Sequence, residues 1–449
     1  MSLIASSQLT IIIGLGMTGM SVARFLQGKN IRFMVMDSRP TPPNFKQFRR
    51  ECPDVCCITG ELDVELLLQA DEIIISPGVD PQTPELQSAM SQGLSIVNDI
   101  ELFARYVNKP VIAITGSNAK STVTTMVGDM AKACGFNAAV GGNLGIPVLD
   151  LIDDHDIDLF VLELSSFQLE TVTSLQPNVA TVLNVSHDHM DRYESFGHYH
   201  RTKQRIYRNA VNIVINRQDV LTQPPLSRDA MVWSFGSDRP DIRGFGLVEQ
   251  ENELYLAYQF STLLPVNRLP FKGKHNVINA LSALAIGHAA GFELDNMLKA
   301  LKRFKGLPHR CEYIVTVDQV SYVNDSKATN VGATLAALEG FSESKKNIIL
   351  IAGGDGKGAD FAPLIPAVEK SVRIVILIGQ DAKKIANTLS SVTSIRYEQT
   401  LLDAIHYARH CAQEQDIVLL SPACSSLDMF PSFEERGRQF VQAVQEFVA

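Results

Sequence analysis

The 449-residue sequence lacks a long hydrophobic segment, an excess of positive charge and any paired cysteine motif. No run approaches the ~20 apolar residues that a membrane-spanning helix needs, and the N-terminus shows no signal-peptide pattern. The net charge of -9 argues against general binding to nucleic acid or to an anionic membrane. Seven cysteines without metal-ligand spacing are typical of reduced thiols. We therefore expect a cytoplasmic protein, which can still bind phosphate ligands through local cations.

The stretch at residues 111–122 predicts a strand, a polar turn and the start of a helix. Val111 to Ile114 is apolar and β-branched, and the next eight residues read T-G-S-N-A-K-S-T. Backbone N–H groups, Lys120 and the following hydroxyls could hold phosphates and Mg²⁺ there. The general pattern G-x-x-x-x-G-K-[ST] has glycine where this chain has Ile114 and Ala119. The pattern alone leaves open an ordinary strand–turn–helix corner with a surface lysine.

The N-terminal residues predict a βαβ unit. A strand at 9–13 is followed by G-L-G-M-T-G at 14–19, a helix and a second strand that ends at Asp37. An acidic residue 18 positions after the last glycine suits a nucleotide or dinucleotide site. The alternative is a tight turn with close helix packing.

Two further stretches in the middle of the chain carry polar groups. Glu163 ends a predicted strand at 158–162, where a carboxylate commonly helps to organise Mg²⁺, although a helix N-cap would look similar. The loop H-D-H-M-D at 187–191 has no thiolate and no H-E-x-x-H spacing. It suits Mg²⁺ or substrate contacts better than zinc. We can assign no chemistry to residues 217–270.

The last third returns to α/β alternation. Polar loops at 324–330, 353–357 and 421–437 each follow a predicted strand, so they should converge on one crevice of a parallel sheet. The length is too great for one core. We predict an α/β protein of three domains: a Rossmann-like domain at 1–98, a central P-loop ATPase-like domain at 99–306, and a Rossmann-like domain at 307–449.

Together these motifs closely resemble those of the Mur ligase family, over all three thirds and in the family's order. The turn at 115–122 resembles that family's P-loop, T-G-[ST]-N-G-K-[ST], with Ala119 in place of a glycine. Among the members, the resemblance is to the ligase that adds D-glutamate to UDP-N-acetylmuramoyl-L-alanine. Ser38 departs from the more usual threonine but keeps the hydroxyl.

The resemblance implies an ATP-driven amide ligation in peptidoglycan synthesis, and with it a part in cell-wall biogenesis, cell shape and cell division. The substrate carboxylate would attack the γ-phosphorus of ATP to give an acyl phosphate and ADP. The amine of D-glutamate would then displace phosphate. Two Mg²⁺ ions are implied, and Lys203, on a helix predicted from Tyr199 to Asn209, would carry a carbamate that turns an ammonium into a metal ligand.

The same resemblance assigns a set of residues to each role. The catalytic set is Lys120, His189 and Lys203. The ATP set is Gly116, Ser117, Asn118, Ala119, Lys120, Ser121, Thr122, Asn276, Asn279, Arg310 and Asp325. The set for the UDP-linked substrate is Leu15, Thr18, Asp37, Ser38, Gly78, Asn143 and His189. The D-glutamate set is Lys327, Thr329, Lys357, Ser426, Leu427 and Phe433. The metal set is Ser121, Glu163, His189 and Lys203.

Three alternatives remain from the sequence. A sibling Mur ligase would add another amino acid, and the main difference would lie in the C-terminal pocket. A nicotinamide-dependent oxidoreductase would account for residues 9–37 but would leave the Lys120 loop unexplained. A nucleotide-sensing module would leave the polar loops without a role. We expect a monomer whose partners are the two small-molecule substrates, with a last domain that closes on hinges near residues 306–308.

Overall fold

The computed structural model describes residues 8–190, 192–225, 229–271, 273–342 and 346–448. Asp191 of the predicted His/Asp loop lies outside these ranges. The described chain forms three sheets in sequence order, and helices cover them. Within these ranges, no helix has the length and apolar character that crossing a bilayer requires.

The first sheet is entirely parallel, with strand order β3-β2-β1-β4-β5. Its strands are β1 Thr10–Ile13, β2 Phe33–Asp37, β3 Cys57–Thr59, β4 Glu72–Ile75 and β5 Ser95–Asn98, and its helices are α1 Met17–Gly28, α2 Phe45–Glu51, α3 Val64–Leu67 and α4 Pro84–Ser91. The strand order reverses between β1 and β4, which opens a crevice at the carboxyl ends of these strands. A Cβ on Gly19 would lie 1.9 Å from the Gly14 carbonyl oxygen, so the third glycine permits close packing of α1 on β1.

The central sheet has nine strands in the order β14-β13-β12-β11-β10-β9-β6-β8-β7. They are β6 Val111–Thr115, β7 Ala138–Gly142, β8 Leu159–Glu163, β9 Val179–Val182, β10 Asn212–Asn216, β11 Met231–Phe235, β12 Gly244–Gln250, β13 Glu253–Tyr258 and β14 Ser261–Pro265. The helices are α5 Asp99–Tyr106, α6 Lys120–Ala133, α7 Ser166–Leu169, α8 Phe196–Gln204, α9 Lys274–Ala289 and α10 Leu294–Leu301. Residues 217–270 therefore extend the sheet, ending in two antiparallel pairs.

The helix predicted from Tyr199 to Asn209 was wrong in its bounds. It begins at Phe196 because the Ser195 side chain accepts the His198 N–H at 3.2 Å and caps the first turn. It ends at Gln204 and continues only as a 3₁₀ turn, Arg205–Tyr207. Lys203 keeps its place in the last turn and points into the protein.

The third sheet has the order β15-β16-β20-β17-β18-β19, and only the β15–β16 pair is antiparallel among its described pairings. Its strands are β15 Glu312–Val317, β16 Val320–Asn324, β17 Ile348–Gly353, β18 Val372–Ile378, β19 Ser394–Tyr397 and β20 Ile417–Leu420. Its helices are α11 Val331–Phe341, α12 Ile365–Ser371, α13 Ala382–Leu389, α14 Leu401–Cys411 and α15 Phe433–Gln445. Other 3₁₀ turns are Val148–Asp150, Val220–Thr222, Val266–Arg268 and Ala362–Leu364. The three-domain α/β class matches the prediction, and the predicted boundaries after residues 98 and 306 fall between sheets.

Candidate functional site

The turn between β6 and α6 has the geometry of an anion cradle. Ala119, the residue before the helix, adopts a left-handed conformation with φ +67°, and no side chain caps the helix start. The N–H groups of the first turn are therefore available to a ligand. Lys120 Nζ folds back and donates to the carbonyl oxygens of Gly116 at 2.8 Å and Ser117 at 3.0 Å. Its pKa is lowered, mainly by burial.

Lys203 lies on the other side of the same carbonyl. Its Nζ donates to the Gly116 oxygen at 2.9 Å and sits 4.7 Å from the Tyr199 ring centroid. The side chain is 1% exposed, and burial together with the nearby Lys120 ammonium holds its pKa well below the ordinary value. Glu163 and Asp188 oppose that shift only in part. A buried amine that favours the neutral form is a nucleophile rather than a fixed cation.

Carboxylate and imidazole groups border these two lysines. Glu163 Oε1 accepts the Asn143 side-chain N–H at 2.8 Å, whereas the buried Oε2 has no hydrogen-bond partner among the described residues. His189 Nε2 lies 3.7 Å from Asp188 Oδ2, and burial lowers the His189 pKa, with Lys357, Lys120 and Lys203 lowering it further. No cluster of three or more His, Cys, Asp or Glu side chains suited to a metal occurs in the described ranges.

A cavity of about 270 Å³ lies between the central and C-terminal domains. It brings together part of the predicted ATP set, namely Asn118, Ala119, Thr122, Asn276, Asn279, Arg310 and Asp325. Arg310 crosses between the domains and donates to Ser121 Oγ at 2.6 Å. Asp325 Oδ2 accepts the Ser421 hydroxyl at 2.7 Å, and burial raises the Asp325 pKa to about 6.

Of the predicted amino-acid residues, Lys327 lines this cavity. The others follow β16, β17 and β20 along the chain, and Phe433 is the first residue of α15. Lys327 Nζ sits 3.7 Å from the Phe433 ring centroid, and burial lowers its pKa to about 8. Lys357 is close enough to His189 to act on its pKa. Ser426 is buried, whereas Leu427 is 71% exposed. The loops that carry two lysines thus face the His189 and Lys120 region.

Arg436 is a residue of this pocket that the sequence did not assign. It is 1% exposed, and its guanidinium donates to the Ser326 hydroxyl at 3.0 Å, the Ser326 carbonyl at 2.8 Å and the Cys424 carbonyl at 3.3 Å. It therefore ties the loop after β16 to the loop after β20. Burial lowers its pKa to about 10. Its position in α15, three residues after Phe433, was the one available signal.

A second cleft of about 840 Å³ opens between the N-terminal and central domains. Five of the residues predicted for the UDP-linked substrate line it: Thr18, Asp37, Ser38, Gly78 and Asn143. Leu15 and His189 do not; the Leu15 side chain is fully buried, and its N–H donates to Asp37 at 2.6 Å. The sequence also missed Arg39, which lines the cleft and pairs with Asp37 at 2.6 Å. Arg39 hydrogen bonds and a backbone N–H lower the Asp37 pKa despite its burial.

Comparison with known proteins decides the family. Residues 8–98 match the sequence model "Mur ligase MurD-like, N-terminal domain", residues 114–287 match "Mur ligase middle domain", and residues 309–424 match "Mur ligase, glutamate ligase domain". The chain is 53% identical over 446 residues to the UDP-N-acetylmuramoylalanine--D-glutamate ligase of Pseudomonas savastanoi pv. phaseolicola, covering 99% of both chains. The chain belongs to the Mur ligase family. This confirms the family predicted from the motifs.

Other relatives agree with that assignment. The enzyme of the same name from Legionella pneumophila is 49% identical over 441 residues, covering 97% of this chain and 99% of its own. A pseudomurein peptide ligase type C from Methanothermus fervidus shares the fold of this Mur ligase at a TM-score of 0.63 and 20% identity, covering 98% and 100% of the two chains. The glycine-rich turn at 14–19 therefore belongs to a Mur ligase N-terminal domain, not to a nicotinamide-dependent oxidoreductase.

Proposed function

We propose that this Mur ligase joins D-glutamate to UDP-N-acetylmuramoyl-L-alanine at the expense of ATP. One observation carries the proposal: Lys327 of the C-terminal domain lines the cavity that also contains Asn118 and Ala119 of the P-loop, and Lys357 lies near enough to His189 to lower its pKa. A phosphate-binding loop therefore faces a pocket with two cations. A dicarboxylate amino acid needs such cations, one near each carboxylate. The names of the full-length relatives support the same substrates.

The proposed reaction has two steps. A carboxylate oxygen of the UDP-linked substrate attacks the γ-phosphorus, the bond to the β-phosphate oxygen breaks, and ADP leaves. The D-glutamate amine then attacks the acyl carbon, loses a proton, and phosphate departs from the tetrahedral intermediate. Lys120 and Arg310 balance charge on the phosphates, and Lys327 and Lys357 hold the amino acid. The substrate itself would lie in the 840 Å³ cleft, with Asn143 between that cleft and Glu163.

We propose that the site holds two Mg²⁺ ions, for which the residues present offer suitable donors. The buried Glu163 Oε2 has no partner among the described residues, and Ser121 supplies a hydroxyl oxygen, both of which are hard donors. Bound Mg²⁺ would neutralise charge on the transferred phosphoryl group. His189 would be a further ligand. Lys203 would complete the set as a carbamate, because its neutral amine can add CO₂ and present oxygens in place of an ammonium.

We also propose the domain limits 1–98, 99–306 and 307–449, a monomeric state and a cytoplasmic location. The odd number of cysteines supports reduced thiols, and all seven are free. Sedimentation at micromolar concentration would test the monomer, with a dimer as the contrary result. Limited proteolysis should cut first within residues 98–108 or 301–312. A first cut elsewhere would contradict the proposed domain limits.

The first experiment is phosphate release from Mg·ATP with UDP-N-acetylmuramoyl-L-alanine present and amino acids added one at a time. We expect release that depends on D-glutamate. Release that depends on a different amino acid would support the ligase chemistry but would show that the amino-acid substrate is not D-glutamate. No release with any amino acid would overturn the proposed function.

A further inference from the structure

The C-terminal domain contacts the central domain at the first turn of α11. Asn330 is the N-cap of this helix, and its Oδ1 accepts the Ala333 N–H at 2.9 Å. Its Nδ2 donates to Asn118 Oδ1 at 3.3 Å and to Asp188 Oδ2 at 3.1 Å. The cap fixes the orientation of the amide, because only the oxygen can face a backbone N–H. Both amide hydrogens are thus directed at the central domain.

These two acceptors belong to different parts of the active site. Asn118 is in the P-loop, where its backbone N–H donates to Asn184 Oδ1 at 2.8 Å. Asp188 Oδ2 lies 3.7 Å from His189 Nε2. On its own side, Asn330 follows Thr329 directly in the predicted amino-acid loop. A single side chain therefore connects the nucleotide loop, the His189 loop and the amino-acid loop.

Gly332 makes this approach possible. A Cβ at this position would lie 2.9 Å from Ser186 Oγ and 3.2 Å from Asn118 Nδ2. The α11 backbone thus comes so near the central domain that a side chain here would have to displace the Ser186 and Asn118 side chains. The close approach of the Gly332 backbone and the directed amide of Asn330 together define a specific docked position.

We propose that Asn330 is a positioning residue that latches the C-terminal domain onto the P-loop and the Asp188 loop. The latch aligns the amino-acid loop with the nucleotide before the acyl phosphate is attacked. Its consequence for catalysis rests on the proposed function, whereas its effect on domain docking does not.

The decisive variant is Asn330→Asp. Aspartate is as good an N-cap as asparagine, so α11 keeps its first turn. The new carboxylate cannot donate, and it would face the Asp188 carboxylate. Small-angle scattering of the full chain is measured without nucleotide and across a titration with Mg·AMP-PNP. We expect the compact form to require about tenfold more nucleotide, or to be lost, because a hydrogen bond to a charged group is removed and a like charge replaces it.

The matched control is Thr400→Asp at the N-cap of α14, where the exposed Thr400 accepts the Asp403 N–H and donates its hydroxyl to Asp403 Oδ2 at 2.6 Å. Like Asn330→Asp, this change keeps the cap, removes a donor and sets two carboxylates against each other. The nucleotide titration of its compact form should match that of the wild type. An exchange variant carries both Asn330→Asp and Asp188→Asn, so that one donor and one carboxylate again face each other. It should recover the compact form, which is measured by scattering alone. In steady-state assays Asn330→Asp should raise KM for ATP and D-glutamate and spare KM for the UDP-linked substrate.

Equal scattering of wild type and Asn330→Asp in both conditions would overturn the latch, whatever the activity. The latch would also be contradicted if the exchange variant did not recover the compact form, provided that Asn330→Asp and the exchange variant both unfold at the wild-type temperature. Phosphate release by the wild type is measured separately, so a wrong substrate assignment leaves the scattering result intact.

Discussion

Ala119 offers a test of the P-loop geometry through stability alone. Its φ of +67° is a left-handed conformation, which costs a residue with a Cβ roughly 1–2 kcal/mol relative to glycine. Glycine in turn gains about 0.4–1 kcal/mol of entropy in the unfolded chain. The difference predicts that Ala119→Gly stabilises the folded central domain by about 0.5–1 kcal/mol. For a domain of this size that is a rise of about 1–4 °C in the unfolding midpoint.

Calorimetry of the ligand-free protein measures that shift. The matched control is Ala104→Gly, the same chemical change inside the right-handed helix α5. There glycine loosens the helix, at a cost of about 0.5–1 kcal/mol, and removes a partly buried methyl group, so the midpoint should fall. The opposite signs separate backbone strain from loss of a methyl group. If Ala119→Gly lowers the midpoint as Ala104→Gly does, the left-handed conformation of the loop is refuted.

Three further perturbations address the site. Lys203→Ala should abolish turnover and be rescued by added short carboxylates; full activity without rescue would contradict the carbamate. Lys120→Ala should remove ATP binding measured by calorimetric titration, and an unchanged affinity would contradict the P-loop assignment. Burial between α9 and α11 lowers the His275 pKa to about 4, and the Ala336 backbone offsets this only in part. Docking of the C-terminal domain is therefore fully favoured above the ordinary pKa of 6.5 and weakens as pH falls towards 4. From pH 7.5 to 5.5 we expect KM for ATP to rise about tenfold in wild type and less in His275→Asn; equal pH profiles would contradict this.

The fold was predictable wherever buried strands alternate with helices. Val111–Thr115 and Leu159–Glu163 are fully buried and apolar except for the last residue of each, and such runs are typical of parallel strands. Residues 217–270 are less periodic in sequence because their strands are partly exposed: the burial of Glu253–Tyr258 does not follow a strict alternation. Here pairing with a neighbouring strand, which the sequence does not display, decides the structure.

The site was predictable in its loops but not in the side chains that connect them. Glu163 lies at the end of a strand and Lys120 at the start of a helix, and the sequence pattern alone identifies both positions. Arg436 and Asn330 gain their roles from partners far along the chain, such as Ser326 for Arg436 and Asn118 for Asn330. Their residue types are common on protein surfaces, so nothing local distinguished them. Burial supplies the missing information, since a guanidinium that is 1% exposed must have its hydrogen bonds satisfied within the protein.

The packing explains why domain movement should fall on one side of the central domain. A single hydrophobic cluster includes Ile12 and Phe25 of the N-terminal domain and Phe160 and Ile213 of the central domain. The two clusters of the C-terminal domain draw only on residues of that domain within the described ranges. Separating the first two domains would expose apolar surface at roughly 25 cal/mol per Å². Separating the third would expose the His275 ring, which packs against α11, and would otherwise exchange polar contacts for contacts with water. Each neutral hydrogen bond lost in this way has a net cost of only about 0.5–1.5 kcal/mol.

A docked position held by so few polar contacts is easily shifted by ligands. Arg310 on Ser121 and Asn330 on Asn118 and Asp188 all lie where phosphate and Mg²⁺ would bind. Nucleotide therefore adds charge at the point where the two domains are joined most weakly. In that arrangement a ligand needs only a modest preference for the docked form to populate it, because the equilibrium responds to the difference in affinity and not to its absolute strength. Under the proposed function, the central and N-terminal domains would form the fixed platform that holds the UDP-linked substrate, and the third domain would deliver the amino acid.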